Sequence, residues 1–403
     1  ASLHSGQSAA IDGAWGSSCA LSLAAIAAAD RNRIHVIVQP TIRDAEECVD
    51  ELSDLTKSTV LLFPAWESLP DAIDAGDAVY AARLAVVRRL SDTDRPPALI
   101  VTCVPALLQP VPARDAIRAA TRTISVGDEL PLDEFIEWLI ARGFERVTAV
   151  ELPGEFCIHG GILDIFPASE PDAIRIELFG DEIESIRSFD VESQRRLEDL
   201  NRIALTATTQ AASASRTHVT KKSAAATAAP SPVFAGPTES FIDSLPKSTI
   251  IVLTDLPQAI SEGRMYLQRL SNPVGLYSVD ATMAKLTEFP SVTIDALGAD
   301  SYETSCHLSI EPIERLSGSR RDALAELSEL LGPGDHVLLC CHNEGEHERL
   351  NELIRETDAS NETPLTSRIR LTTGRLRRGF RLLDHGLIVI SDNELFSRAT
   401  SRT

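Results

Sequence analysis

Residues 153–196 read PGEFCIHGGILDIFPASEPDAIRIELFGDEIESIRSFDVESQRR, and this stretch decides the fold of the middle of the chain. Apolar and polar residues alternate along FCIHGGILDIFP, again along 173–179, and a third time along 182–189. Such alternation is typical of β-strands that bury one face. Gly160-Gly161 marks a bulge or tight bend and Gly180-Asp181 supplies a turn. The pattern predicts an antiparallel meander with one polar face.

The polar face of this meander combines a cation with an aromatic ring. In the second run, residues 173–179, Arg175, Glu177 and Phe179 point to the same side, because side chains of a strand alternate between faces. An arginine beside a phenylalanine is the composition of a protein-binding hot spot. The alternative is an ordinary solvated sheet face with one half-covered ring, and the pattern alone leaves both open.

Short series within this stretch carry a family resemblance. PGEF, GG, LD-FP, R-E-FG-DE-ES-R-FD and SQR resemble the UvrB-homology region of the bacterial transcription-repair coupling factor (Mfd) family. Residues 63–70 (FPAWESLP) look like the family's FPDWETLP, and residues 384–396 resemble the segment that closes its third domain. Residues 13–18 (GAWGSS) look like its degenerate loop. The resemblance covers nearly the whole chain and is weak between about 200 and 300.

Composition limits the kinds of partner. The chain has 403 residues, 43% of them hydrophobic, which favours two to four domains over a single core. Its net charge of −21 argues against broad attraction to nucleic acid or to an anionic membrane, and residues 151–200 hold 13 acidic but only 4 basic side chains. Seven cysteines without framework spacing, with no signal peptide and no apolar run near 18 residues, indicate a reduced cytoplasmic setting.

The overall pattern predicts a multidomain α/β fold. Short apolar runs suited to parallel strands occupy 34–38, 59–63, 98–104, 248–254, 336–341 and 386–391. Helical spacing occupies 20–29, 44–55, 78–90, 132–142, 256–270, 321–331 and 344–356. We therefore expect a degenerate P-loop, helicase-like parallel sheet domain with an inserted antiparallel β-rich domain, followed by a small α/β domain.

This prediction divides the chain into five ranges, four in domains and one in a linker. They are the first part of a nucleotide-binding-type domain over 1–127, a UvrB-like UvrA-binding domain over 128–206, a linker over 207–232, an α/β continuation of the first domain over 233–300, and a small α/β domain over 301–403. Residues 207–232 have almost no large apolar side chains, so they cannot bury enough surface to offset the entropy of ordering. That composition predicts a disordered linker.

The loop after the first strand lacks the groups that ATP hydrolysis needs. A working P-loop uses main-chain N–H groups, a lysine for the β and γ phosphates, and a serine or threonine for magnesium. Gly13, Gly16, Ser17 and Ser18 remain, but Cys19 stands in the lysine position and Ala20 in the hydroxyl position. We expect no ATP, magnesium or other cofactor in this chain, and no catalytic site.

Two other clusters are weaker candidates. Cys340-Cys341-His342 with His347 has no zinc spacing, and adjacent strand residues face opposite ways, so buried cysteines and no metal site are expected. Six arginines stand between 368 and 381 without an acidic residue: Arg368, Arg370, Arg375, Arg377, Arg378 and Arg381. We interpret this stretch as a solvated loop, with contact to DNA or to an acidic sheet as alternatives.

The family resemblance implies a specific function. It implies a non-catalytic part of a coupling factor that recruits UvrA to RNA polymerase stalled at DNA damage, in nucleotide excision repair. UvrA would contact Arg175 and Phe179, which match the family's arginine and aromatic, and His159, which replaces the arginine of its RGG series. An imidazole is mostly uncharged at neutral pH and cannot grip a carboxylate with two donors, so weakened or pH-sensitive binding is expected.

The remaining implications concern the rest of the family protein. RNA polymerase and double-stranded DNA are expected as partners of the full-length family. The ATP-driven translocase domains of that family would follow Thr403, so the chain is expected to be a fragment or a truncation. We expect it to be a monomer without membrane contact. Two alternatives stay open: an autoinhibitory module that covers its sheet until polymerase is engaged, and a UvrB-like helicase half, against which Cys19 and Ala20 speak.

Overall fold

The computed structural model describes residues 8–69, 77–91, 99–170, 172–206, 237–296, 304–313, 320–358 and 365–395. Within them lie two parallel-sheet α/β units and an antiparallel β-rich unit inserted into the first. None of the helices in this part of the chain is long and apolar enough to cross a membrane.

Strands and helices alternate over the first 120 residues. Their bounds are β1 Ala9–Asp12, α1 Ser18–Ala29, β2 His35–Gln39, α2 Ile42–Leu55, β3 Val60–Phe63, α3 Ala78–Ser91, β4 Leu99–Cys103, α4 Val104–Leu108, β5 Val111–Pro112 and α5 Arg114–Ala119. The predicted helices over 20–29, 44–55 and 78–90 correspond to α1, α2 and α3. The short helices α4 and α5 are not predicted, because each has too few residues to display helical periodicity.

The inserted unit contributes most of the antiparallel strands. Its bounds are β6 Thr121–Ser125, α6 Leu132–Ala141, β7 Glu145–Arg146, β8 Glu155–His159, β9 Ile162–Ile165, β10 Ala173–Phe179, β11 Glu182–Phe189, β12 Arg196–Leu200 and β13 Arg202–Thr206. Six of them form one sheet in the order β12-β11-β10-β9-β8-β7, as the alternating pattern predicts for its central strands.

Two strands form the stem of this insertion. Strand β6 enters the unit and β13 leaves it, and the two pair antiparallel from Thr121 opposite Thr206 to Ser125 opposite Arg202. The hydroxyl oxygens of Thr121 and Thr206 are 2.9 Å apart. The chain therefore leaves the first unit and returns to it at one point.

Residues 237–307 return to the first sheet. Their bounds are β14 Thr238–Glu239, β15 Ile250–Thr254, α7 Leu256–Arg269, α8 Val279–Leu286, β16 Ser291–Asp295 and β17 Ser305–His307. The described strands of this sheet are all parallel, in the order β17-β1-β16-β15-β2-β4-β3. Residues 207–236 lie outside the described residues, so the linker over 207–232 stays a prediction.

The FPAWESLP motif is fixed in the core of the first unit by a buried arginine. Arg83 of α3 donates to the carbonyl oxygens of Pro64 (2.7 Å), Ala106 (3.3 Å), Gln109 (3.0 Å) and Pro110 (3.1 Å). Its guanidinium also lies 4.2 Å from the ring centre of Phe63, the first residue of the motif. Burial lowers the pKa of Arg83 to about 9, so it stays protonated at neutral pH. The motif therefore has a structural role in this chain.

The last unit is a smaller α/β sheet. Its bounds are β18 Ile310–Pro312, α9 Arg320–Leu330, β19 His336–Cys341, α10 Glu344–Asp358, β20 Ile369–Thr373, β21 Phe380–Leu382, β22 Leu387–Ser391 and α11 Asp392–Leu395. The order is β18-β21-β22-β19-β20, with β20 and β22 parallel to β19. Cys340 and Cys341 are both buried and pack into different apolar clusters, as expected of neighbours in a strand.

The solvated-loop interpretation of the arginine stretch is wrong. Arg368 donates to main-chain carbonyls of Gly332 and Asp335, and Arg381 pairs with the Asp335 carboxylate at 2.7 Å, within the last unit. Arg375 and Arg377 instead form ion pairs with helix α2 of the first unit. The stretch is therefore docked on the fold, because carboxylates of helix α2, distant in sequence, pair with two of its arginines.

Candidate protein-binding face

The six-stranded sheet of the inserted unit has one apolar face and an opposite face that is polar at its centre, with a small buried apolar cluster at one end. Phe156, Leu163, Ile174 and Ile176 point into a core that helix α6 closes with Phe135. The side chains that alternate with them form the opposite face. The three predicted contact residues, His159, Arg175 and Phe179, belong to this second set.

Arg175 is held by its neighbours on the sheet. Its Nε and Nη2 atoms donate to the two carboxylate oxygens of Asp164, each at 2.7 Å, and Nη2 also donates to Gln194 at 3.1 Å. The guanidinium lies 4.5 Å from the ring centre of Phe189. The hydrogen bond to Asp164 raises the pKa of Arg175. The two-pronged carboxylate contact expected with a partner is thus made within the sheet, and the side chain is a rigid part of the face.

Glu177 takes part in a second pair, next to Arg175 on the same strand. It accepts from the Ser185 hydroxyl at 2.8 Å and from Arg187 Nη2 at 2.5 Å, both on strand β11. These donors, the Ser185 hydroxyl first, lower the pKa of Glu177. Arg175 and Arg187 face each other across the ladder, and each guanidinium is paired with a carboxylate, Arg175 with Asp164 and Arg187 with Glu177. The charges at the centre of the face are therefore mutually paired.

Phe179 stands at the end of β10 with 81% of its surface exposed. It pairs with Glu182 across the turn that Gly180 and Asp181 make. Gly180 has φ +65°, a conformation that favours glycine and allows this tight connection. Covering a phenylalanine ring completely is worth about 1.5–3 kcal/mol, so an exposed ring on a rigid strand end is a strong candidate anchor for a partner.

His159 lies at the end of β8, exposed, on the same face. Its Nε2 is 3.0 Å from the carbonyl oxygen of Thr148, to which it donates. It pairs with Ile162, which pairs with Glu177 between Arg175 and Phe179. Two strand spacings of about 4.8 Å put His159 roughly 10 Å from Glu177. The structure therefore brings the three predicted contact residues to one face, around Glu177.

The partners of Arg175 are missing from the sequence prediction. Asp164, Phe189 and Gln194 were not singled out, although Asp164 occupies an outward position of the LDIF series and so carried a signal. Gln194 has φ +57° in the hairpin between β11 and β12, and the sequence gives no cue to that conformation. Cross-strand register decides these contacts, and register depends on turns far from the residue concerned.

The loop of residues 13–18 lies between β1 and α1, at the carboxyl edge of the parallel sheet. Gly13 and Gly16 have φ of +75° and +58°, and Ser17 precedes helix α1, which begins at Ser18. Cys19 and Ala20 lie in the first turn of α1, and burial raises the pKa of the Cys19 thiol to about 11. A neutral thiol and a methyl group thus stand at these two positions.

Three main-chain donors at the end of this loop are already engaged. The N–H of Ser17 donates to the carbonyl of Arg378 at 3.1 Å, that of Ser18 to Trp15 at 3.2 Å, and that of Cys19 to Gly16 at 3.2 Å. The Ser17 hydroxyl donates to the carboxylate of Glu51. The loop also lines a cavity of about 370 Å³.

Comparison with known proteins gives one match over the inserted unit and many over longer parts. Residues 123–210 match the model of the UvrB interaction domain. A transcription-repair-coupling factor of Mycobacterium bovis is 35% identical over 172 residues, which are 41% of this chain and 14% of the relative. That of Bacillus subtilis is 34% identical over 176 residues, 43% and 15% of the two chains.

A longer alignment extends the similarity. A transcription-repair-coupling factor of Staphylococcus aureus is 25% identical over 346 residues, which are 68% of this chain and 28% of the relative. Each of these alignments thus spans less than a third of the curated relative. The chain is similar over residues 123–210 to the UvrB interaction domain, and over a larger part of its length to transcription-repair-coupling factors of several bacteria.

Proposed function

We propose that this chain is the N-terminal part of a transcription-repair coupling factor, and that it recruits UvrA through the polar face of its six-stranded sheet. The exposed ring of Phe179, on a face of fixed charges within the residues that match the UvrB interaction domain, carries this proposal. The acidic surroundings favour a protein partner over DNA, because phosphate binding needs clustered cations. RNA polymerase and double-stranded DNA would be partners of other parts of the full-length protein.

The role of each residue follows from its contacts. Phe179 would be the apolar anchor, since covering its ring gains the most surface. Arg175 would contribute a guanidinium that Asp164 holds in place. It would not offer the partner a two-pronged contact, because Nε and Nη2 already donate to Asp164. His159 would occupy the rim of the contact, where an arginine in the family would add charge.

We further propose that the chain is not an enzyme and takes no ATP or magnesium. The loop of Gly13, Gly16, Ser17, Ser18, Cys19 and Ala20 would be a degenerate P-loop. This is supported by the neutral thiol of Cys19 and by main-chain donors that other residues of the chain already use. A helicase-like half would need both features reversed.

The affinity of the 403-residue chain for UvrA, measured by calorimetry, tests the recruiting role. We expect micromolar or tighter binding, and at least a tenfold loss, about 1.4 kcal/mol, in Phe179→Ala, because the ring has no packing role to lose. Val274→Ala is the matched control, an equally simple truncation of an apolar side chain 75% exposed on the first unit. Full affinity in Phe179→Ala would contradict the proposal.

His159→Arg probes the departure from the family series in the same assay. It should tighten binding at pH 7.5, because a permanent cation replaces a mostly neutral ring. An unchanged affinity would show that position 159 lies outside the contact, without bearing on Phe179.

A further inference from the structure

Helix α2 presents a row of carboxylates to the last unit of the chain. Asp44, Glu47, Glu51 and Asp54 recur at intervals of three and four residues, so they lie along one side of the helix, with Asp50 beside them. Glu51 is nearly buried there. Such a row is unfavourable in isolation, because like charges at this spacing repel. Arg43 of the same helix pairs with Glu47, and the other carboxylates of the row need cations from elsewhere in the fold.

The cations come from the segment that joins β20 to β21, residues 374–379. Arg377 pairs with Asp44 at 3.1 Å and with Glu47 at 2.6 Å, and Arg375 pairs with Asp50 at 2.5 Å. These side chains remain about half exposed, so the pairs alone contribute little and are screened by salt.

Main-chain hydrogen bonds also join residues 374–379 to helix α2, and these bonds fix the orientation of the segment. The N–H of Arg375 donates to Asp54 at 2.7 Å, and that of Arg377 donates to Glu51 at 2.8 Å. At the far end of the segment the N–H of Gly379 donates to Glu394 of the last unit at 2.7 Å. The segment is therefore held on both sides, by the first unit along its middle and by its own unit at its end.

The segment also reaches the loop between β1 and α1. The Ser17 hydroxyl accepts from the N–H groups of Arg377 at 3.0 Å and Arg378 at 3.1 Å, while the Ser17 N–H donates to the Arg378 carbonyl. A Cβ added to Gly16 would lie 3.0 Å from Arg378 Cβ. The Arg378 guanidinium lies 5.5 Å from the ring centre of Trp15.

This loop occupies the position where related sheets hold phosphate. A turn from a parallel strand into a helix collects main-chain donors, and the helix dipole favours an anion there. Here the Arg378 carbonyl oxygen, which carries partial negative charge, accepts from Ser17. Arg377 and Arg378 therefore bond the Ser17 donor and hydroxyl and form part of the wall of a cavity of about 370 Å³ that the loop also lines.

We propose that residues 374–379 fasten the last α/β unit to the first by bonding the Ser17 N–H and hydroxyl, which an anion at this loop would otherwise contact. The loop between β1 and α1 thus serves as a docking socket between two parts of one chain. This inference stands apart from UvrA recruitment, since it involves neither the six-stranded sheet nor Phe179.

Hydrogen exchange of the full chain, followed by mass spectrometry, tests the socket. Arg375→Glu sets a carboxylate against Asp50 and Asp54, so exchange should speed up at least tenfold both in 374–379 and around Ser17. Arg370→Glu is the matched control, because Arg370 is an exposed arginine of the adjacent strand β20. It should leave both regions as in the parent chain.

A double substitution that exchanges the two charges distinguishes loss of docking from a general loss of structure. Arg375→Glu combined with Asp50→Arg restores an ion pair with its sense reversed, and exchange should return to within about threefold of the parent. Unchanged exchange in Arg375→Glu would overturn the proposal. So would loss of protection in 374–379 alone, with Ser17 unaffected, or failure of the swap to restore either region.

Discussion

A buried arginine that is satisfied by main-chain carbonyls makes the first unit sensitive to a single side chain. Arg83 donates to four carbonyl oxygens, from the FPAWESLP segment, from α4 and from the two residues after it. Three of these acceptors lie in buried residues, and removing the donor would take a hydrogen bond from each of the four. A buried polar group that loses its partner costs about 1–3 kcal/mol.

Arg83→Met should therefore lower the free energy of unfolding by about 3 kcal/mol or more, although methionine keeps much of the apolar stem. Chemical denaturation of the full chain measures this. Arg43→Met, which removes an exposed arginine paired with Glu47 on α2, is the control and should cost less than about 0.5 kcal/mol. A loss below about 1 kcal/mol for Arg83→Met would show that water or a neighbouring donor replaces the guanidinium.

The outward charges of strand β10 are each paired with a charge on a neighbouring strand. Its outward side chains Arg175 and Glu177 each find an opposite charge on a neighbouring strand, Asp164 on β9 and Arg187 on β11. The Asp164 side chain is only 9% exposed, so its carboxylate depends on Arg175. The polar face thus contributes to the stability of the sheet, apart from its proposed role in binding a partner.

Arg175→Ala should destabilise the inserted unit by about 1–3 kcal/mol, since Asp164 would keep a poorly solvated charge. A double-mutant cycle with Asp164→Ala, followed by thermal unfolding, should give a coupling near 1 kcal/mol or above. Additive effects of the two substitutions would mean that the pair contributes nothing to folding. The cycle also tells how much of any affinity lost in Arg175→Ala reflects folding.

Elements with strong periodicity could be predicted from the sequence, and contacts between distant elements could not. Strands β2, β4 and β19 are continuous apolar runs, and β8 to β11 alternate cleanly, so local pattern sufficed. Strand β1 is four residues long and β17 three, too short for any period to appear. The outward Arg175 and Phe179 followed from alternation alone, but the Asp164 partner required the register between β9 and β10.

The arginine stretch illustrates the same limit at longer range. Its charge was evident, but its partners on α2 lie more than 320 residues earlier in the chain. The acidic row on α2 has helical spacing and was visible as well. Nothing local connected the two, because only the tertiary fold brings the carboxyl edges of the two parallel sheets together.

At the scale of the whole molecule, pH acts on the contact between the first and last units through Glu51. Burial raises the pKa of Glu51, while hydrogen bonds from Ser17 and from the Arg377 N–H oppose that shift. The folded state therefore binds this proton more readily than the unfolded chain does. This group costs stability above its folded pKa, and the cost is relieved as pH falls toward the ordinary value of a glutamate.

Glu51→Gln should remove that dependence, since an amide oxygen accepts the same hydrogen bonds without a charge to desolvate. We expect a melting temperature at pH 7.5 equal to or above that of the parent chain, with the difference shrinking by pH 5. Calorimetric scans at both values measure this, with Glu46→Gln, exposed on the same helix, as the control. A lower melting temperature for Glu51→Gln at pH 7.5 would show that the ionised carboxylate is needed by Arg377.

The stem formed by β6 and β13 has a further meaning for how such a molecule can be assembled. The chain leaves and returns through two paired strands, β6 and β13, whose terminal threonine hydroxyls are 2.9 Å apart. The insertion is therefore joined to the host unit in the same way as the loop of a β-hairpin. We expect the host sheet to accept a longer, shorter or different insertion, provided that its two ends pair as β6 and β13 do.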